Sequence, residues 1–125
     1  MGKSKTPDIL WLDQPEEHDY PAAVSYLSII YPRAVVSTKV KALREAEVTG
    51  RKAKDIFRAS GLAILTKANF HVRKDRKKLL AGEPVSPLLL VQDAHNGRVT
   101  IADGYHRMCA IYELNEDADI HCKIV

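Results

Sequence analysis

No stretch of this 125-residue chain approaches the roughly 20 consecutive apolar residues that a membrane helix needs. No N-terminal run has the charged-then-apolar form of a secretory signal. Cysteine is scarce: Cys109 and Cys122 are too few for a disulfide framework and read as reduced, buried thiols. These absences point to a cytoplasmic protein with no membrane partner. There is no internal repeat and no low-complexity segment. The opening "MGKSKT" contains Gly-Lys-Ser, but no strand or glycine-rich loop precedes it, which excludes a P-loop. It also has the form of a myristoylation site, with Gly2 and Thr6, and we read it as part of a basic tail. A large charge excess is missing as well. Net charge is +3 and the pI about 8.9, short of the basic footprint of a dedicated nucleic-acid domain.

Much of the positive charge lies in two clusters, "RKAKDIFR" at residues 51–58 and "HVRKDRKK" at residues 71–78. Each suits either a solvated helix face or a rim that attracts phosphates. The length fits one domain, expected to be α+β, a small mixed sheet with flanking helices preceded by a helical segment. We divide it into a flexible tail (1–18), a helical segment (19–61) and a core (62–125). In the helical segment Tyr20, Val24, Leu27 and Ile30 recur at helical spacing, with Asp19 as N-cap and Pro21 in the first turn. After Pro32 the pattern resumes at Val36, Val40 and Leu43. A third helix is expected from near Thr49 to Gly61, with Ile56 and Phe57 inward and Arg51, Lys52, Lys54 and Arg58 outward.

In the core, "LAIL" (62–65) reads as a short strand. A basic helix follows, with Leu79 and Leu80 inward and Gly82 closing it. "SPLLLVQ" reads as a buried strand, Asn96-Gly97 as a tight hairpin turn and "RVTIAD" as the second strand, with Val99 and Ile101 on one face. "YHRMCAIYEL" is helical, packing through Met108, Ile111 and Tyr112, and "ADIHCKIV" closes the chain as a strand. Trp11 should anchor the N-terminal segment, and residues 115–119 ("NEDAD") form a solvated acidic turn.

One junction is chemically loaded. In "IADGYHRMCA" a strand runs into Asp103-Gly104 and a helix begins at Tyr105-His106-Arg107. Early helix amides have no intrahelical partner and the helix dipole is positive there, so phosphate is favoured. Glycine permits close backbone approach. Arg107 offers a bidentate fork and His106 an acid, base or donor. Asp103 could orient a neighbour, hold magnesium or act as a base. The plain alternative makes Asp103 the helix N-cap, His106 a surface residue and Arg107 the partner of a nearby acid.

The order hairpin, Asp-Gly-Tyr-His-Arg loop, helix, strand over residues 62–125 resembles the ParB/sulfiredoxin superfamily, and the loop is closest to the Asp-Gly-His-His-Arg version of its free-serine kinases. The resemblance implies nucleotide-phosphate binding, of ATP or CTP, at Gly104, Tyr105, His106 and Arg107. It places Asp103 where the kinase-like version sets an acid beside the transferred phosphate, and Lys74, Lys77 and Lys78 on the helix that in sulfiredoxins also meets the nucleotide, with the choice among the lysines open. Asp103 and His106 are the catalytic candidates, and Asp103 is a candidate magnesium ligand. Phosphoryl transfer or nucleotide hydrolysis is then the expected chemistry. Departures limit it. Tyr105 stands where sulfiredoxins keep their cysteine, and Cys109 falls inside the helix, so sulfinic-acid reduction is not expected. No helix-turn-helix follows the last strand before Val125, so centromere-type recognition is not expected either, and the acidic base of the kinases is not identifiable. Two readings stand beside nucleotide binding: a nucleic-acid-binding module using the basic helices, and a non-catalytic regulatory protein with a vestigial loop. A zinc set of His121 and Cys122 with Cys109 or His95 is disfavoured, since adjacent strand residues face opposite ways. His71 opens the basic helix and is read as a surface residue, with a capping or anion-contact role as the alternative.

Overall fold

A computed structural model describes residues 8–125. The "MGKSKT" stretch lies outside the described residues. Its helices are α1 (Asp19–Ile30), α2 (Arg33–Glu45), α3 (Ala53–Ser60), α4 (Phe70–Leu80) and α5 (Tyr105–Leu114). The strands are β1 (Thr49–Lys52), β2 (Leu88–Asp93), β3 (Arg98–Asp103) and β4 (Asp119–Ile124), ordered β1-β4-β2-β3. β2 and β4 run parallel, and the other two pairings are antiparallel. The class is therefore α+β, a four-stranded mixed sheet with helices on both faces.

The run Leu88-Leu89-Leu90-Val91 explains the layering. A central strand covered on both faces needs apolar side chains at successive positions rather than alternate ones. Leu88 and Leu90 join Ile56, Val72, Leu79, Met108 and Ile111 of α3, α4 and α5 in one core. Leu89 and Val91 join Tyr20, Leu27, Val36, Val40 and Leu43 of α1 and α2 in the other. Both thiols, Cys109 and Cys122, are free and buried, as composition suggested. Burial raises both, Cys122 to about 11. Lys123 is also buried on β4, and its Nζ donates to the Arg44 carbonyl near the end of α2 at 3.0 Å.

Several expectations need correction. Residues 49–52 form edge strand β1, paired only with β4, and the third helix starts at Ala53. Four residues, three of them exposed, leave no hydrophobic period by which to read a strand. "LAIL" forms no strand. The amide of Leu65 meets Cys109 Sγ at 3.4 Å, and the Ala63 carbonyl accepts from the Tyr105 hydroxyl at 2.6 Å, so α5 takes up the polar groups a sheet would have paired. On α1, Val24 and Ile30 face outward while Ala23 takes a core position, and on α4 Leu80 is exposed beside buried Leu79. The hairpin turns through a short 3₁₀ segment, Ala94–Asn96, with Gly97 left-handed at φ 65°, rather than through a two-residue turn. The tail is fastened from Ile9 on. Leu12 N–H donates to the Val85 carbonyl, Val85 N–H to the Leu10 carbonyl, both at 2.9 Å, and the Trp11 ring stacks on His121 at 4.9 Å.

Candidate functional site

The end of β3 and the start of α5 meet α4 in a cleft of about 200 Å³. α4 begins where Asn69 Oδ1 accepts from the amides of His71 and Val72, at 2.9 and 3.2 Å. That cap fixes the helix phase. His71, Lys74, Asp75 and Lys78, at i, i+3, i+4 and i+7, then share one face, and all four line the cleft. Lys77 lies off this face and is not among the residues that line the cleft. Across the cleft stand Asp103, Gly104, Tyr105, His106 and Arg107.

Gly104 is the N-cap of α5, with φ 105° and no side-chain cap bond. Asp103 is therefore not the cap. Its Oδ2 instead accepts from Arg107 Nη2 at 3.3 Å, so Arg107 does pair with a nearby acid. Arg107 Nη2 also reaches the Pro87 carbonyl at 3.4 Å, while its Nε is buried without an acceptor among the described residues. Among the described residues the early amides of α5 thus keep their donors free of side-chain caps, and a guanidinium with an unspent N–H lies beside them.

The electrostatics are mixed. Lys74, Lys78 and Arg107 face Asp75 and Asp103. Burial pushes the Asp103 carboxyl above the usual carboxylate value, Arg107 opposes, and the Asp19 carboxylate adds to the rise. The His71 and His106 rings lie 4.9 Å apart. Burial lowers His106, His71 lowers it further, and Asp75 works the other way. A neutral His106 at pH 7 keeps one nitrogen as an acceptor. Its resonance in an NMR titration is expected to move below pH 6.5; a midpoint at or above 6.5 would contradict this placement. Between its folded and unfolded values the unfolded chain binds more protons, so this group makes stability rise with pH there. Tyr105 contributes to the cleft wall, but its hydroxyl is tied to Ala63.

His71 and Asp75 are cleft residues that the sequence reading missed or assigned to the surface. Their spacing from Lys74 and Lys78 was the available signal once the Asn69 cap is placed. A second missed group lies behind the loop, where Asp19 is buried and accepts from Ser86 Oγ and from Glu16 N–H at 3.1 Å. His18 Nε2 stands 2.9 Å from Glu16 Oε2 and 3.4 Å from Asp19 Oδ1. Among the described residues, Glu16, His18 and Asp19 are the trio of metal-ligating types close enough to share an ion. Asp103 is not in it, nor are His95, Cys109, His121 and Cys122. The acidic turn ties back to α3 through Asp117 and Lys54 at 2.7 Å. No helix is long and apolar enough among the described residues to cross a membrane. Comparison of the chain with family models, curated proteins and solved structures gives no match.

Proposed function

We propose that the protein binds a nucleotide, ATP or CTP, by its phosphates at the Asp103–Arg107 loop. The observation that carries this reading is the uncapped start of α5. A helix terminus whose amides serve no side chain is an anion site by geometry and by dipole. Here it sits beside Arg107 and opposite Lys74 and Lys78. A capping Asp103 would have filled the same place with its own carboxylate. The element order, hairpin to loop to helix to strand, supports a ParB/sulfiredoxin-like relationship as part of the same proposal.

Phosphoryl transfer or nucleotide hydrolysis is the reaction class this set suits. The amides and the Arg107 fork would hold developing phosphate charge, and the lysines would position it. Asp103 would hold a magnesium ion accompanying the phosphates, or take a proton, for which a raised carboxyl is suited. Neutral His106 would accept a proton or a hydrogen bond.

The test is thermal unfolding with ATP, ADP, CTP and GTP, each with magnesium. A ligand at about 100 times its Kd should add about 2.7 kcal/mol of stability to the wild type. Arg107→Ala should weaken binding roughly 10- to 100-fold, because it removes a charge-assisted fork. Absence of a shift with every nucleotide would overturn the proposal. A shift with generic DNA that falls with salt and survives in Arg107→Ala would favour the nucleic-acid module instead.

A further inference from the structure

A second cleft, of about 390 Å³, lies at the other end of the sheet, and neither α4 nor α5 contributes to its lining. It opens about 17 Å along β3 from Asp103, the length of five strand steps. The cause is visible in β2. Leu88, Leu90 and Gln92 point to the same face; Leu88 and Leu90 are buried, and Gln92 is exposed. The helical cover therefore ends while sheet remains. Leu90, Val99 and Ile124, one from each of three strands, give an apolar floor, and Ile56 of α3 gives an apolar wall.

Two guanidiniums edge this floor, Arg51 from β1 and Arg98 from β3. Arg51 Nη1 donates to Thr49 Oγ1 at 3.0 Å and to the Gly50 carbonyl at 2.8 Å, neutral acceptors that orient the group and leave its charge intact. Arg98 lies against Gly61, its guanidinium 3.9 Å from where a Cβ would stand. Neither arginine makes an ion pair among the described residues. The acid in the lining is Asp55, so the three side chains sum to a formal +1. The volume falls at the lower end of small-molecule pockets, about 300–1,000 Å³.

We propose that this cleft binds a small amphipathic monoanion, a carboxylate carried on an apolar chain or ring. The apolar body would cover Leu90, Val99 and Ile124, and the carboxylate would take the planar fork of one of the two guanidiniums, which stand on opposite edge strands of the sheet. A formal +1 matches one negative charge. A bare inorganic anion would leave the apolar floor wet, and a triphosphate would bring Asp55 like charges.

The experiment is an amide NMR titration of the full chain with decanoate, decanol and decylammonium. Decanoate should shift the amides of Asp55, Gly97, Arg98 and Ile124 saturably and leave Gly104–Arg107 unmoved. Decanol and decylammonium should bind roughly tenfold more weakly or worse. The double substitution Arg51→Gln with Arg98→Gln alters two exposed side chains. It should cost decanoate roughly tenfold in affinity, leave decanol unchanged, and leave the nucleotide response of the other cleft intact. Equal affinity for decanoate and decanol, undiminished decanoate binding in the double variant, or shifts confined to other residues would overturn the proposal, as would the absence of saturable binding.

Discussion

Gly104→Ala is expected to lower the unfolding free energy by about 2–5 kcal/mol, which for a chain of this size is a fall in Tm of roughly 10 °C or more. Two costs combine. At φ 105° an alanine pays the left-handed penalty of about 1–2 kcal/mol. Its Cβ would also stand 2.6 Å from Leu88 Cγ and 2.9 Å from Arg107 Nη2. Leu88 is fully buried on the central strand and cannot withdraw, so the overpacking term, about 1–3 kcal/mol, is added in full. Gly97→Ala is the matched control. Its φ of 65° also carries a left-handed penalty, but a Cβ there meets nothing within 4 Å. Urea unfolding of the two variants separates the terms, and equal losses would show that close approach to Leu88 is not what requires glycine. In Gly104→Ala, displacement of Arg107 should also weaken the nucleotide response.

The loop and the central hairpin were legible in the sequence because their signals are dense and local. The Leu-Leu-Leu-Val run reads as a strand because an Asn-Gly turn and an alternating second strand follow it, and Asp-Gly before an apolar helical period marks a strand-to-helix junction. β1 was not legible. Its residues, Thr-Gly-Arg-Lys, are held by the backbone of β4, and backbone pairing leaves no mark on side-chain pattern. "LAIL" misled for the converse reason: short apolar runs carry no period of their own, and its partners, Cys109 and Tyr105, lie more than 40 residues away. In the candidate site, the helix face of Lys74 and Lys78 depended on phase, and phase depended on Asn69, a cap outside the basic run. The group behind the loop depended on a contact 67 residues apart in sequence, Ser86 to Asp19, which no local spacing reports.

That contact governs the other large effect. Asp19→Ala is expected to cost about 2–3 kcal/mol, because it takes the carboxylate from the buried Ser86 hydroxyl, while Glu16 N–H keeps Ser86 Oγ as an acceptor at 3.1 Å. Asp19 is 4% exposed and accepts from the Ser86 hydroxyl and from Glu16 N–H, and Ser86 is itself 6% exposed. Asp19→Asn keeps an oxygen for both donors and should cost only about 1 kcal/mol, the difference between a charged and a neutral acceptor. The two variants also differ from wild type in pH dependence, through Asp103. Burial raises the Asp103 carboxyl, and the Asp19 charge raises it further. The folded state therefore binds more protons than the unfolded chain between pH 3.8 and the folded value, and wild-type stability contributed by this group falls as pH rises through that window. Removing the charge of Asp19 shrinks the fall. The penalty of either substitution should thus decline as Asp103 ionises, and be smaller at neutral pH than at about pH 4. Urea unfolding at the two pH values checks this. Penalties that do not change with pH would separate Asp19 from Asp103, and an alanine penalty no larger than that of asparagine would show that the Ser86 hydroxyl finds another acceptor.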